Sequence, residues 1–174
     1  MQTPAHLDPV ADEEIGEVAS LISRAFRGIS WHTEEELVSD FTLTEEQLRN
    51  QVSRVRPHGA LLQWKEGNKR IACVLLRPVN QEHTKWRFAW LAIEPNLQTS
   101  GRGKKMMEAI EHYSEQRGAT LMEMNAMNVR KNLIAWYQRR GYILTGDTES
   151  FAYKQEQAHR DDLCFVVLQK VLSG

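Results

Sequence analysis

The chain has 174 residues, the size of one ordinary domain, and can bury a core without disulfides or metals. Hydrophobic residues make up 41% and charged residues 26%, a globular rather than a disordered composition. The 22 Lys and Arg against 23 Asp and Glu leave a net charge of −1, which excludes bulk attraction to nucleic acid or to an anionic membrane.

The longest run free of Asp, Glu, Lys and Arg has 8 residues, Pro57 to Trp64. A membrane-spanning helix needs about 20 apolar residues, so none is expected. The first ten residues lack a basic segment followed by an apolar run, so no secretory signal is read there. Cys73 and Cys164 both sit in apolar runs and read as buried, reduced thiols. No repeat, low-complexity segment or Gly/Pro-rich linker divides the chain. Residues 1–174 therefore read as one cytoplasmic domain.

Residues 12–27 predict a helix, with Asp12 as cap and Ile15, Val18, Ile22 and Phe26 at helical spacing. Thr33-x-x-Glu36 and Thr44-x-x-Gln47 are capping-box patterns, and the second leads Leu48, Val52 and Val55 along one face. Pro57-His58-Gly59 ends that element. Residues 60–65 and 70–77 read as strands around a Gly-Asn turn, an antiparallel hairpin. Residues 86–93 form a third strand candidate. Residues 103–117 read as a helix with Met106, Ile110 and Tyr113 on one face, ending before Gly118. A strand at 120–124, a helix at 132–140 closed by Gly141, and strands at 142–145 and 163–168 follow. The connection at 146–162 is polar and reads as exposed. This order predicts a mixed α/β sheet with helices on its faces.

The informative segment is 91–107, where a strand runs into a glycine-containing loop that opens a helix. Backbone N–H groups at a helix start have no intrahelical partner, and the helix dipole adds positive potential there. Glycines let a bulky anion approach, so this is a phosphate or pyrophosphate cradle. The separation of Gly101 from Gly103 does not fit a P-loop, and Met106 stands where the dinucleotide fingerprint needs a third glycine.

The spacing that fits is Gln98-x-x-Gly101-x-Gly103. It resembles the acetyl-CoA-binding motif of the Gcn5-related N-acetyltransferases, the GNAT family. The preceding Trp90-Leu-Ala-Ile-x-Pro95 and the Met106-Met107 pair continue the resemblance, as does Leu133-Ile-Ala-Trp-Tyr137-Gln-Arg-Arg-Gly141-Tyr142. The resemblance implies the GNAT fold, an α/β domain with a central, mostly antiparallel, splayed sheet flanked by helices. It implies acetyl-CoA as co-substrate, its pantetheine arm lying between the strand before the loop and the strand near 120–124. Backbone groups of Leu91, Ala92 and Ile93 would pair with pantetheine. Amides of Gln98, Thr99, Ser100, Gly101, Arg102, Gly103 and Lys104 would hold the pyrophosphate. Lys104 and Lys105 either add charge near the phosphates or are solvated surface lysines.

In this family an amine attacks the thioester directly and the leaving thiolate takes a proton. Tyr137 matches the family's tyrosine and carries over as general acid, since a phenol with a pKa near ~10 stays protonated at neutral pH. Trp136 beside it reads as core. Arg87 stands where the histone-acetylating branch has a glutamate base, which takes support from a histone substrate. Glu94 is the remaining candidate base, or else it shapes the turn before Pro95. Arg130 and Leu133 depart from the Asn and Ala common in the second motif. Asn128 or Asn132 replaces the missing amide contact to CoA, and Asn132 is carried among the cofactor residues. Arg102 either contacts phosphate or points to solvent. Trp31 and Glu34 read as an aromatic wall and a carboxylate for the acceptor, or as a buried anchor and a helix start. Tyr153 and His159 are lesser candidates. The six histidines and two cysteines show no ligand spacing, so no metal is expected.

The function implied is acetyl transfer to a primary amine of a small molecule or peptide, with no nucleic-acid or membrane partner, by a monomer or homodimer. The alternative is a non-catalytic acyl-CoA-binding or protein-interaction module on the same fold.

Overall fold

The computed structural model describes residues 5–27, 42–98, 100–150 and 162–173. A 3-10 turn, Asp12–Glu14, enters helix α1, Ile15–Arg27. Asp12 is not the cap. Glu14 reaches back instead, its Oε1 accepting from the Ala11 N–H at 3.2 Å. Helix α2 spans Glu45–Val55 and opens with a reciprocal capping box. Thr44 Oγ1 accepts from the Gln47 N–H at 3.1 Å, and Gln47 Oε1 accepts from the Thr44 N–H at 2.9 Å, as the Thr-x-x-Gln spacing requires. The Thr33-x-x-Glu36 pattern lies outside the described residues.

Among the described residues the sheet has seven strands: β1 Asp8–Pro9, β2 Ala60–Glu66, β3 Lys69–Pro78, β4 Lys85–Ile93, β5 Leu121–Met127, β6 Ile143–Ser150 and β7 Cys164–Val171, in spatial order β1-β2-β3-β4-β5-β7-β6. Only the β4–β5 pair is parallel. The two-residue strand β1 has no periodicity to read and exists because it pairs with β2 at Gln63 and Leu62. Strand β6 is twice as long as its sequence announces, and the connection expected from residue 146 is strand through Ser150. As the edge strand it exposes nearly every residue, so no alternation marks it, and its register with β7 shifts between Leu144 and Thr148.

Helix α3, Arg102–Glu115, and helix α4, Lys131–Gln138, pack on one sheet face. Met106, Met107 and Ile110 of α3 meet Leu62, Val74, Trp86 and Met122 of the strands there. On the other face α1 and α2 enclose a second core, with Val18, Ile22, Leu48 and Val52 against Leu61, Cys73, Leu75 and Ala92. Met122, Met124 and Met127 are all buried, as strand packing requires. Both cysteines are free: Cys73 is buried, and Cys164 is half-buried rather than buried. Desolvation pushes the Cys73 thiol up to about 12, so it stays protonated. Among the described residues no helix is long and apolar enough to cross a membrane.

Candidate active site

The sheet opens at a bulge. Strands β3 and β4 pair Cys73 with Ala92 and Leu75 with Ala89, so Val74 alone faces both Trp90 and Leu91. Trp90 takes up the extra residue at φ 52, a region few non-glycine residues enter. Its surroundings hold it there: Nε1 donates to Gln51 Oε1 at 2.6 Å, and Phe26 packs edge-on with centroids 5.6 Å apart. The bulge bends β4, and pairing between β4 and β5 ends at Arg87 with Glu123. Beyond that point the strands part around a cleft of about 380 Å³. The β5-side edge of Leu91, Ala92 and Ile93 therefore has no strand partner, and all three residues line the cleft.

The glycine loop closes one end. Gly101 is left-handed at φ 82, and a β-carbon on it would meet nothing within 4 Å. Gly103 lies against Trp136, whose Cζ2 would stand 3.2 Å from an added β-carbon. Helix α3 begins here with no side-chain cap. Among the described residues its first backbone return is Lys105 N–H to the Gly101 carbonyl, and the amides of Arg102, Gly103 and Lys104 meet no acceptor there, which suits an anion. Gln98 lines the cleft, donates through Nε2 to the Ile93 carbonyl at 3.4 Å, and has a buried Oε1 that accepts no hydrogen bond among the described residues. An orphaned acceptor, uncapped amides and an open glycine surface suit a phosphate-bearing thioester with amide groups along its arm. Thr99 lies outside the described residues. Ser100 donates to the Leu97 carbonyl and is exposed, and Lys104 is exposed on the first turn of α3. The Arg102 guanidinium is partly exposed and already has a protein partner. It forms a fork with Glu66 at the β2–β3 turn, both contacts 3.1 Å.

Tyr137 projects from α4 into the same cleft. It packs among Phe88, Trp136 and Tyr142, and its hydroxyl makes no hydrogen bond among the described residues. Burial pushes the phenol up to about 12, with Arg130 and Arg140 pulling the other way. Trp136, read from the sequence as core, is half-buried and lines the cleft under an Arg140 guanidinium 3.4 Å from its ring centre. Glu94 stands past the end of β4 and is held by Arg24 at 2.7 Å. Asn132 is exposed on the first turn of α4. Asn128 bonds the Asp162 carbonyl at 3.1 Å and the Cys164 N–H at 3.3 Å, tying the end of β5 to the start of β7. Trp31, Glu34, Tyr153 and His159 lie outside the described residues.

The structure adds groups that the sequence had not assigned to the site. Phe26 of α1, Trp90 at the bulge, Asn125 of β5 and Phe165 of β7 also line the cleft. They come from four elements and meet only because the sheet splays. Among the described residues no three His, Cys, Asp or Glu side chains gather as a metal site.

The acetyltransferase (GNAT) family model matches residues 18–142. An amino-acid acetyltransferase of Serratia proteamaculans is 28% identical over 99 residues, covering 46% of this chain and 22% of that protein. The match therefore spans about a fifth of that relative's length. Ribosomal-protein-alanine N-acetyltransferase from Brucella melitensis superposes at TM-score 0.70 and 12% identity, covering 96% of this chain and 99% of that one. A chimera of the spermidine N-acetyltransferase SpeG from Vibrio cholerae and hSSAT superposes at 0.72 and 12%, covering 98% and 97%. These likenesses concern the fold. With the family match over 18–142, the splayed sheet and the uncapped glycine loop have one explanation: the chain belongs to the acetyltransferase (GNAT) family.

Proposed function

We propose that this protein transfers an acetyl group from acetyl-CoA to a primary amine of a small molecule or a peptide by direct attack. The observation that carries this reading is a single cleft lined both by Gly103, at the glycine-loop helix start, and by Tyr137. Bound acetyl-CoA supplies the thioester carbonyl that the amine attacks. The amides of residues 98–104 would hold the phosphates by hydrogen bonding, and the unpaired edge of Leu91 to Ile93 would align the arm. Phe88, Trp90 and Tyr137 give the cleft aromatic walls. Tyr137 then donates its proton to the departing sulfur. A phenol held up at about 12 is fully protonated at neutral pH, which a proton donor requires. Tyr137 lines the cleft and, in this reading, is the residue that would meet the leaving sulfur. Glu94, already paired with Arg24, serves here to set the loop rather than to take a proton.

Isothermal titration with acetyl-CoA, followed by thiol release over a panel of primary amines, tests the proposal. Binding followed by amine-dependent thiol release is expected. No binding at millimolar acetyl-CoA overturns it, and binding without thiol release from any amine turns the reading to a sensor.

A further inference from the structure

The sheet face opposite α3 and α4 carries a carboxylate that the chemistry above does not use. Register places Arg77 of β3, Arg87 of β4, Glu123 of β5 and Gln169 of β7 in one row across this face. Two residues further along β5 is Asn125, which lines the cleft. Met124 and Ala126 on either side of it are buried in the core under α3 and α4, so Asn125 presents to the other face. Glu149 reaches over this spot from β6. Its Oε1 accepts from Arg87 Nη2 at 2.7 Å and from Asn125 Nδ2 at 2.9 Å.

Two carboxylates stand here, and their commitments differ. Glu123 Oε2 takes Lys85 at 2.9 Å and Gln169 Nε2 at 2.8 Å, while its Oε1 lies 3.5 Å from Arg87 Nε. Both donors to Glu149 fall on one oxygen, and Oε2 accepts no hydrogen bond among the described residues. The Glu149 side chain is 37% exposed. The Arg87 hydrogen bond, ahead of Asn125 and Arg77, holds the carboxyl below the usual range, so it is ionised at neutral pH. Tyr137 meanwhile packs in the core on the opposite face of the sheet. An amine adds to one face of the thioester carbon and the sulfur then leaves from a tetrahedral centre, so the group that holds the nucleophile and the group that protonates the sulfur need not share one wall of the site.

We propose that Glu149 is the positioning residue of the acceptor site: its Oε2 accepts an N–H of the incoming amine and holds that nitrogen opposite Tyr137. The acceptor class is thus an amine that is cationic at neutral pH, its ammonium meeting Oε2 before it loses a proton to solvent and attacks. This rests on the acetyltransfer reading above. Glu149→Gln keeps an oxygen for Arg87 and Asn125 but puts a donor where Oε2 stood.

Thiol release with spermidine, 1,4-diaminobutane, glycinamide and an alanyl tripeptide first identifies the amines that the wild type acetylates. With the best of them, E149Q is expected to raise the amine KM and lower kcat/KM by about ten- to a hundredfold. The acetyl-CoA Kd by calorimetry and the far-UV circular dichroism stay unchanged, and Glu149→Asp recovers part of the loss. An unchanged amine KM and kcat/KM in E149Q overturns the proposal. A loss matched by an equal rise in acetyl-CoA Kd overturns it too, because Glu149 then acts on the cofactor side. A wild type that binds acetyl-CoA but acetylates none of the four amines removes the acetyltransfer reading and this proposal with it.

Discussion

A β-carbon on Gly103 would lie 3.2 Å from Cζ2 of Trp136, so the start of α3 rests on the indole face of α4. The ring has no cheap way to give. Arg140 stacks on it at 3.4 Å and donates through Nη1 to the Trp136 carbonyl at 2.8 Å, while Tyr137 abuts it at 5.0 Å. The two glycines of the loop therefore answer to different constraints. Gly103→Val displaces Trp136 into the cleft and is expected to weaken acetyl-CoA binding about tenfold or more, read by titration calorimetry. Gly101→Ala meets open space and instead strains a left-handed residue, at about 1–2 kcal/mol of stability, read as a lower urea midpoint.

Tyr137→Phe keeps the ring packing with Phe88 and Tyr142 and removes only the hydroxyl. A fall in kcat of about a hundredfold or more is expected, with acetyl-CoA Kd changed less than about threefold. With the phenol held at about 12 instead of its ordinary 10, kcat shows no falling limb from this group at neutral or mildly alkaline pH. The same shift has a stability consequence. A folded pKa raised above the unfolded one contributes stability that is present below pH 10 and lost as pH rises through about 12. Urea midpoints between pH 9 and pH 11, for wild type and Y137F, check the sign: only the wild type loses this contribution.

At the other end of the pH scale the sensitive group is Glu14. Its carboxylate takes Lys65 at 3.1 Å and Arg70 at 2.6 Å, and it caps α1 through Ala11. The Lys65 hydrogen bond, with Ala11 and Gln63, holds it at about 2 against an ordinary 4.5, although burial pulls upward. A depressed folded pKa contributes stability that is present above pH 4.5 and lost as pH falls through about 2. Glu14→Gln is expected to lower the urea midpoint at pH 7 and to flatten its decline between pH 4.5 and pH 2.5.

Arg102 is committed to Glu66 across the hairpin turn, and the partly exposed pair contributes little to stability. Arg102→Ala is therefore expected to leave the thermal midpoint nearly unchanged and to shift acetyl-CoA Kd less than about threefold, far less than Gly103→Val. A loss comparable to the glycine variant shows that the guanidinium leaves Glu66 for phosphate.

Particular residues show how far the pattern carried. The Thr44 and Gln47 spacing encodes a reciprocal bond within one turn, so the helix start is readable and the structure contains it. Gly67 and Asn68 between two apolar runs encode the β2–β3 hairpin for the same reason. Strand β6 escaped because an exposed edge strand has no buried face to impose alternation. Asp12 lost the cap to Glu14 because the chain enters α1 through a 3-10 turn, and no local pattern sets that entry angle.

What the sequence determines by itself is local: where helices start, where the hairpin turns, and a glycine spacing that resembles one family's acetyl-CoA loop. Each of these is written within a few residues of itself. Only the tertiary structure decides what stands around the reacting atoms. Arg87, read from the sequence as the loss of a base, brings Glu149 from 62 residues away and fixes it beside Asn125. The bulge at Trp90 parts β4 from β5 and lets α1, β5 and β7 share a cleft with Tyr137. Such contacts depend on register and on the splay of the sheet. Register is a long-range agreement between strands, and no short stretch of residues contains it.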